Sequence, residues 1–189
     1  MDDRAYFELG DEELTSFQLS FLAALRDLLD GRLRPYCAGF GDDALLVALD
    51  VDAPEVALVN VGLELRGNQL RGDRISVHDR SSFPPTPTRD GFVLEGDPRE
   101  LAARGCELLT TYARRPVVLH EWLHRRKVYA TCHLFEDTGE RLAQMYRGDW
   151  APRGLEAKLV AKGFVNDGGW VQIAGLGKPD RVTLVRGTR

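Results

Sequence analysis

Short apolar segments of β-strand type, joined by tight turns, dominate this chain of 189 residues. Three of them follow one another at 44–51, 56–65 and 69–78, and the breaks between them are Ala53-Pro54 and Arg66-Gly67-Asn68. Because a parallel pair of strands needs a crossover of a dozen or more residues, connections this short favour antiparallel pairing. The pattern therefore predicts an antiparallel sheet.

Two amphipathic segments predict long helices. In 12–33, large apolar side chains recur every three or four residues, and Asp11 is the expected cap. The second helix begins after Asp97-Pro98, an N-cap followed by proline at the first helical position, and Glu100 completes a capping box. Gly105, in the middle of this helix, costs about 1 kcal/mol relative to alanine, so we expect close packing there.

A second series of strand-like segments follows this helix, and together the two series define the fold class. We predict an α+β fold: one large antiparallel sheet of about seven or eight strands, in two helix-then-meander blocks, with the two long helices packed on one face and a short third helix. The domain prediction is a single α+β domain over 1–189, with an internal division into 1–96 and 97–189. The remaining predicted elements are an edge strand at 92–94, a meander of 117–124, 128–136 and 140–147, a helix at 155–162, and closing strands at 170–174 and 181–186.

Charge is distributed unevenly along the chain, although the net value is only −4. Residues 1–97 carry 9 basic and 19 acidic side chains, a net of −10, whereas residues 98–189 carry 16 and 10, a net of +6. The overall balance gives no general attraction to nucleic acid or to an anionic membrane, and we predict neither as a partner. A charge-split chain can attract its own copy or one charged protein, so a homodimer or a protein partner is the expected alternative.

The start of the chain and its three cysteines point to a bacterial cytoplasm. Met1 to Arg4 lacks a basic segment followed by an apolar one, and no apolar run approaches the roughly 18 residues of a membrane span. The cysteines are far apart and lack metal-ligand spacing, which is typical of reduced, mostly buried thiols. Arginine outnumbers lysine by 21 to 4, as in proteins from GC-rich bacterial genomes.

His120-Glu121-Trp122-Leu123-His124 matches the H-E-x-x-H motif of zinc proteases, but its context favours a strand. The motif works on a helix, which brings positions i and i+4 onto one face. Here Pro116 and two valines precede it, and four residues of a strand span about 13 Å, too far for two histidines to share one ion. We therefore predict no metal site and no cofactor.

The same segment suggests a ligand-binding face of the meander. We expect His120 to pair with Thr131, Trp122 with Tyr129, and Val118 with His133, which gathers the other apolar side chains on the opposite face. Imidazoles, aromatic rings and an amide then share one surface, with the two histidines diagonal at roughly 7 Å. The predicted ligand-binding residues are His120, Trp122, Tyr129, Thr131, His133, Gln144 and Tyr146, with Gln144 beside His133 and Tyr146 beside Thr131.

Two functions remain open at this point. The first is a non-catalytic binding or accessory protein: chaperone-like, immunity-type or an adaptor. The second is a metal-independent small-molecule-binding protein or small enzyme, which binds an anionic or aromatic ligand on the predicted face, with the proline-rich loop 81–91 as its lid. Ordinary half-exposed strand residues explain the same pattern, and if other elements cover this face its residues belong to the core.

Overall fold

The computed structural model describes residues 14–29, 31–39, 43–53, 56–76 and 82–187. It confirms an α+β fold whose strands are all antiparallel. The helices are α1 (Ser16–Leu28), α2 (Pro98–Arg114) and α3 (Leu155–Ala161), with a 3₁₀ helix at Ile173–Leu176. The strands are β1 (Tyr36–Gly39), β2 (Ala44–Ala53), β3 (Val56–Arg66), β4 (Gln69–Ile75), β5 (Phe92–Glu95), β6 (Val117–His124), β7 (Lys127–Phe135), β8 (Arg141–Tyr146) and β9 (Arg181–Arg186).

The strands form two sheets instead of one. The first sheet has the order β1-β2-β3-β4-β5, and the second has the order β8-β7-β6-β9. The chain divides into two compact units, residues 1–113 and residues 114–189. Helix α2, which the sequence predicts to open the second block, belongs to the first unit. The uneven charge persists when the chain is divided at this boundary, since unit one carries 11 basic and 21 acidic residues and unit two carries 14 and 8.

The core of unit one lies between its sheet and its two helices. Leu45, Val47 and Leu63 project from the same face of β2 and β3 and are fully buried. Helix α2 packs there through Gly105, where a Cβ atom would lie 2.7 Å from the Leu63 side chain. This contact confirms the close packing predicted for the glycine. Helix α1 lies beside α2, because the Cys106 thiol donates to the carbonyl of the last α1 residue at 3.4 Å.

The helix starts show one correct prediction and one error. Asp97 accepts from the backbone N–H groups of Arg99 and Glu100 at 2.9 and 3.0 Å, as expected for the α2 cap. Helix α1 begins later than predicted, because Thr15 is its N-cap and forms a reciprocal capping box with Gln18. The predicted cap, Asp11, lies outside the described residues.

Unit two retains the predicted meander of β6, β7 and β8, and β9 pairs with the free edge of β6. The predicted strand at 170–174 is wrong. Val171 makes a single bridge to Val165, and the chain then turns into the 3₁₀ helix. Gly175 allows this turn, because a Cβ atom there would overlap the ring of Phe164.

None of the helices among the described residues is long and apolar enough to cross a membrane.

Candidate functional site

A β-bulge at Tyr129 changes the register of the predicted ligand-binding face. Leu123 pairs with Val128, as the sequence predicts, but Trp122 pairs with Ala130, so Tyr129 is an extra residue in β7. Beyond the bulge every β7 side chain is displaced by one position. His120 therefore faces Cys132 rather than Thr131. Because side chains alternate between faces, the shift moves Thr131 and His133 to the opposite face of the sheet, where they pair with Glu121 and Leu119.

A second one-residue difference occurs between β7 and β8. Gln144 pairs with Cys132 instead of His133, and Tyr146 pairs with Ala130 instead of Thr131. The two displacements cancel, so Gln144 and Tyr146 remain on the face that carries His120 and Trp122. At the far end of this ladder Arg141 pairs with Leu134, after a further shift of the register.

The face that keeps most of the predicted residues is the core of unit two. Trp122 is 4% exposed and Tyr129 is 6% exposed, and both pack in a cluster with Ile173 of the 3₁₀ helix. The Trp122 indole N–H donates to the carbonyl of Gly177 at 3.2 Å, which ties the covering segment to the sheet. The partly buried residues packed against this cluster are Leu134, Tyr146, Trp150, Ala151, Leu155 and Leu176.

The two histidines of the predicted site project from different faces of the sheet, His120 half-buried and His133 buried. Burial lowers the pKa of His120, whose ring meets that of Trp122 edge to face at a centroid distance of 6.2 Å. Burial likewise lowers the pKa of His133, which is 9% exposed. Both imidazoles are therefore favoured in the neutral form. Since they project from opposite faces, they cannot act together on one substrate.

The H-E-x-x-H segment lies on strand β6, as its context predicts. Glu121 is 7% exposed and accepts from the Arg181 guanidinium, through Nε to one oxygen and through Nη2 to the other at 2.6 Å. This carboxylate therefore has a structural partner on β9. Within the described part of the chain, no three His, Cys, Asp or Glu residues are grouped to hold a metal ion.

A cationic turn joins β6 to β7. Arg125 and Arg126 both have positive φ, 49° and 65°, as the two central residues of a type I′ hairpin turn require. Asparagine and glycine adopt this conformation readily, whereas for other residues it costs roughly 1–2 kcal/mol of conformational energy. The turn thus holds two arginines at a cost in stability, a kind of strain that clusters at functional sites.

The turn borders a cavity of about 420 Å³ that we call the Trp150 pocket. The Trp150 ring forms one wall and packs against the unit-two core on its other side. Lys127 Nζ lies 5.5 Å from the ring centroid and Arg147 Cζ lies 4.4 Å from it, both within cation–π range. The residues lining the pocket are His124, Arg125, Lys127, Asp149, Trp150, Ala151 and Arg153.

The cations that line this pocket have no carboxylate partner among the residues that the structure describes. The salt bridges of unit two include Arg115–Asp137 and Arg181–Glu121, and neither involves a residue that lines the pocket. In the part of the chain that the structure describes, no carboxylate lies within ion-pair distance of Arg125, Lys127 or Arg153. Three cations and one carboxylate, Asp149, therefore line the cavity, and its potential is positive.

One part of this pocket is contiguous in the sequence. The run Arg125-Arg126-Lys127 is visible in the sequence as a basic cluster at a strand end. Trp150 and Arg153 are about 25 residues further on, and no spacing rule connects them to the turn. The β7–β8 hairpin brings them together, since the backbone N–H of Arg147 donates to the Tyr129 carbonyl at 2.7 Å and so directs the following segment toward the turn.

No protein-family model matches the chain, no curated protein matches it, and no solved structure matches it.

Proposed function

We propose that the chain is a non-catalytic binding protein whose second unit binds a small, multiply charged anion of the phosphate class in the Trp150 pocket. The observation that carries this proposal is the group of lining cations, Arg125, Lys127 and Arg153, that lack carboxylate partners among the described residues. Guanidinium groups suit phosphate because their N–H donors match its oxygens in pairs, and an ammonium group adds a compact point charge.

The pocket supports binding more than catalysis. His124 and Asp149 both line it, but no hydrogen bond joins them in the described structure, so no oriented base is present. The thiols are also poorly suited to attack. Burial raises the pKa of Cys37 to about 12 and raises that of Cys132, in each case against the opposing effect of an arginine.

The cellular setting is part of the same proposal. The arginine bias and the free cysteines Cys37, Cys106 and Cys132 support a bacterial cytoplasm. A protein partner is the competing function, as in a chaperone-like, immunity-type or adaptor protein. The opposite net charges of the two units favour it, because the basic unit of one protein attracts an acidic surface on another.

The test is a titration with inorganic pyrophosphate, followed by the indole N–H signals in a ¹⁵N-correlation NMR spectrum. All three tryptophans lie in unit two, and each has a distinct environment. Trp150 lines the pocket, Trp122 is buried with its N–H bonded to Gly177, and Trp170 is 68% exposed. We expect pyrophosphate to shift the Trp150 signal while the other two signals stay in place.

Two charge-removing variants identify the site. Lys127→Gln and Arg153→Gln should each weaken pyrophosphate binding by about three- to tenfold, because one charge-assisted contact is lost. Lys162→Gln is the matched control, since Lys162 is exposed and does not line the pocket. An unchanged Trp150 signal at millimolar pyrophosphate, or equal affinities for Lys127→Gln and Lys162→Gln, contradicts the proposal. A stable complex with an acidic protein in place of pyrophosphate binding favours the competing function.

A further inference from the structure

Two of the predicted ligand-binding residues, Gln144 and Tyr146, border a small cavity beside strand β8. Its volume is about 130 Å³, and a turn of the chain that ends at Trp170 forms the rest of its wall. We call this cavity the Trp170 site. The described residues that line it are Gln144, Tyr146, Gly168, Gly169, Trp170 and Val171, none of which lines the Trp150 pocket.

The Trp170 side chain is 68% exposed, a larger fraction than any other large apolar side chain has in the described part of the chain. Its indole N–H has no hydrogen-bond partner among the described residues. Single exposed apolar residues are common on protein surfaces, so exposure alone does not define a site. The features that distinguish Trp170 are its fixed position and the polar groups beside it.

Hydrogen bonds hold the turn on both sides of Trp170. The Asn166 side chain accepts from the backbone N–H of Trp170 at 2.9 Å, and the backbone N–H of Asn166 donates to the Trp170 carbonyl at 3.1 Å. The backbone N–H of Gln172 donates to the carbonyl of Phe164 at 2.7 Å. A ligand therefore meets a backbone that is already ordered, and that saving favours binding.

Two glycines allow the indole to lie against the turn. A Cβ atom at Gly168 would lie 3.3 Å from Cδ1 of Trp170, closer than an ordinary van der Waals contact. Gly169 has a φ of 76°, in the left-handed region that glycine adopts without strain. The contact with the backbone limits the positions of the indole, while most of its surface stays open to solvent.

Beside the indole, the site offers polar groups that lack protein partners. The Gln144 side-chain N–H donates to the Val171 carbonyl at 3.2 Å, which orients the amide and leaves its oxygen as an acceptor. The Tyr146 hydroxyl oxygen is buried and has no hydrogen-bond partner in the described structure. A buried hydroxyl of this kind is normally satisfied by an ordered water or a ligand. With the Trp170 N–H, the site therefore has two unpaired donors and one acceptor.

The lining residues indicate an uncharged ligand. The chain is described without a gap over 82–187, and none of the residues in that range that line the site carries a formal charge. A ligand that fits these groups combines an apolar face for the indole with hydroxyl groups, each of which both donates and accepts.

A pyranose ring has this combination. Its C–H bonds form an apolar face, and their hydrogens carry a partial positive charge that the negative face of an aromatic ring attracts. Its hydroxyl groups can pair with the Gln144 oxygen and with the two donors. We infer that the Trp170 site binds one uncharged hexopyranose ring. Because the cavity is smaller than the roughly 300–1,000 Å³ of most small-molecule sites, it holds a single ring and not an oligosaccharide.

The three indole N–H signals of a ¹⁵N-correlation NMR spectrum test this inference. The probes are methyl β-D-glucopyranoside, whose ring hydroxyls are all equatorial and leave C–H bonds on both faces, and sorbitol, which has hydroxyl groups but no rigid apolar face. We expect the glucoside to shift the Trp170 signal at millimolar concentrations and to leave the Trp122 and Trp150 signals in place. Sorbitol at the same concentration should shift none of the three.

Substitutions at exposed positions then assign the contacts. Binding to each variant is measured by saturation-transfer NMR on the signals of the glucoside itself. Trp170→Ala should weaken binding by about tenfold and Trp170→Tyr by less, because tyrosine retains an aromatic face. Gln144→Ala should weaken it by about three- to tenfold, because a hydrogen bond is lost. Val160→Ala and Gln172→Ala are the matched controls, since both residues are exposed and neither lines the site.

The outcomes are independent of the function proposed for the Trp150 pocket. A Trp170 shift with the glucoside, together with weaker binding by Trp170→Ala, supports the inference whatever pyrophosphate does to Trp150. Three results overturn it: no Trp170 shift at tens of millimolar glucoside, an equal shift with sorbitol, or binding by Trp170→Ala and Gln144→Ala equal to that of their controls. Tetramethylammonium is the last probe. A Trp170 shift that this cation alone produces also overturns the inference, because it assigns the ring to cation–π binding.

Discussion

Glu121 and Arg181 face each other across β6 and β9 and form a two-pronged ion pair. The carboxylate is buried, whereas the guanidinium side chain is 55% exposed. Hydrogen bonding to Glu121 raises the pKa of Arg181 further above its usual value. The same residues explain why an apparent metalloprotease glutamate is unavailable for acid–base chemistry, since its oxygens already accept from β9.

This ion pair should hold strand β9 against strand β6. Arg181→Met leaves a buried carboxylate without its partner, so we expect a clear loss of stability and increased hydrogen exchange in β9. Glu121→Leu combined with Arg181→Met removes both charges and should recover most of the loss. Urea unfolding of the two single variants and the double variant measures the coupling. Additive effects in this cycle would show that the ion pair does not hold β9.

The cationic turn should lower the stability of the protein while it strengthens anion binding. In Arg125→Asn combined with Arg126→Gly, both positions receive residues that tolerate positive φ, so we expect the protein to gain about 1–2 kcal/mol of unfolding free energy. The same change removes two cations beside the Trp150 pocket and should weaken pyrophosphate binding. Urea unfolding and calorimetric titration check the two effects. A variant that is more stable and binds pyrophosphate as well as the original chain contradicts the role given to the turn.

Replacing Gly105 with a better helix former should destabilise the protein. Gly105→Ala gains about 1 kcal/mol in helix propensity, but the added methyl group would lie 2.7 Å from Leu63. Overpacking of this kind costs about 1–3 kcal/mol, so we expect net destabilisation. Leu63→Val provides room and should reduce the penalty when the two substitutions are combined. A Gly105→Ala protein as stable as the original chain in urea would falsify the close contact.

Acid should destabilise the protein through two histidines, His120, which is half-buried, and His133, which is buried. Burial lowers the pKa of His120 and His133 in the folded state, while an unfolded histidine keeps its ordinary value of about 6.5. Below that pH the unfolded state takes up more protons, so stability is complete above about pH 6.5 and declines as the pH falls toward the lowered values. Urea midpoints at pH 7.5, 6.5 and 5.5 should show this decline.

The variant His133→Gln isolates one contribution to that decline. It removes a buried titrating group, so the loss of stability between pH 7.5 and 5.5 should be smaller than in the original chain. Its stability at pH 7.5 serves as the reference, which separates the pH effect from any loss of packing. An unchanged slope would mean that His133 titrates alike in the folded and unfolded states.

Local signals predicted most of the individual elements. The Asp97-Pro98 start of α2 depends only on neighbouring residues, and the structure has the predicted cap hydrogen bonds. The turn at Gly67 and the boundaries of β2 and β3 likewise depend on neighbouring residues. Strand β1 was missed, because Tyr36–Gly39 is short and pairs only along the edge of β2.

The expected strand pairing of the predicted site differs from the structure at one residue, which determines the register. The expected pairing is correct at Leu123 and Val128, next to the turn, and is lost at the Tyr129 bulge. No local signal marks such a bulge, because both registers place an apolar set on one face. The cover of Trp122 by the segment that includes Ile173 is likewise a long-range contact that no strand pattern contains.

The sequence by itself determined the α+β class, the antiparallel pairing and the uneven charge, because propensity, turn chemistry and formal charge are properties of near neighbours. Only the tertiary structure decided which sheet face is core and which cations meet at Trp150. Those outcomes depend on register and on packing between distant segments, and a shift of one residue reverses every side chain of a strand. The elements were thus predictable from the chain, whereas the candidate sites required the folded protein.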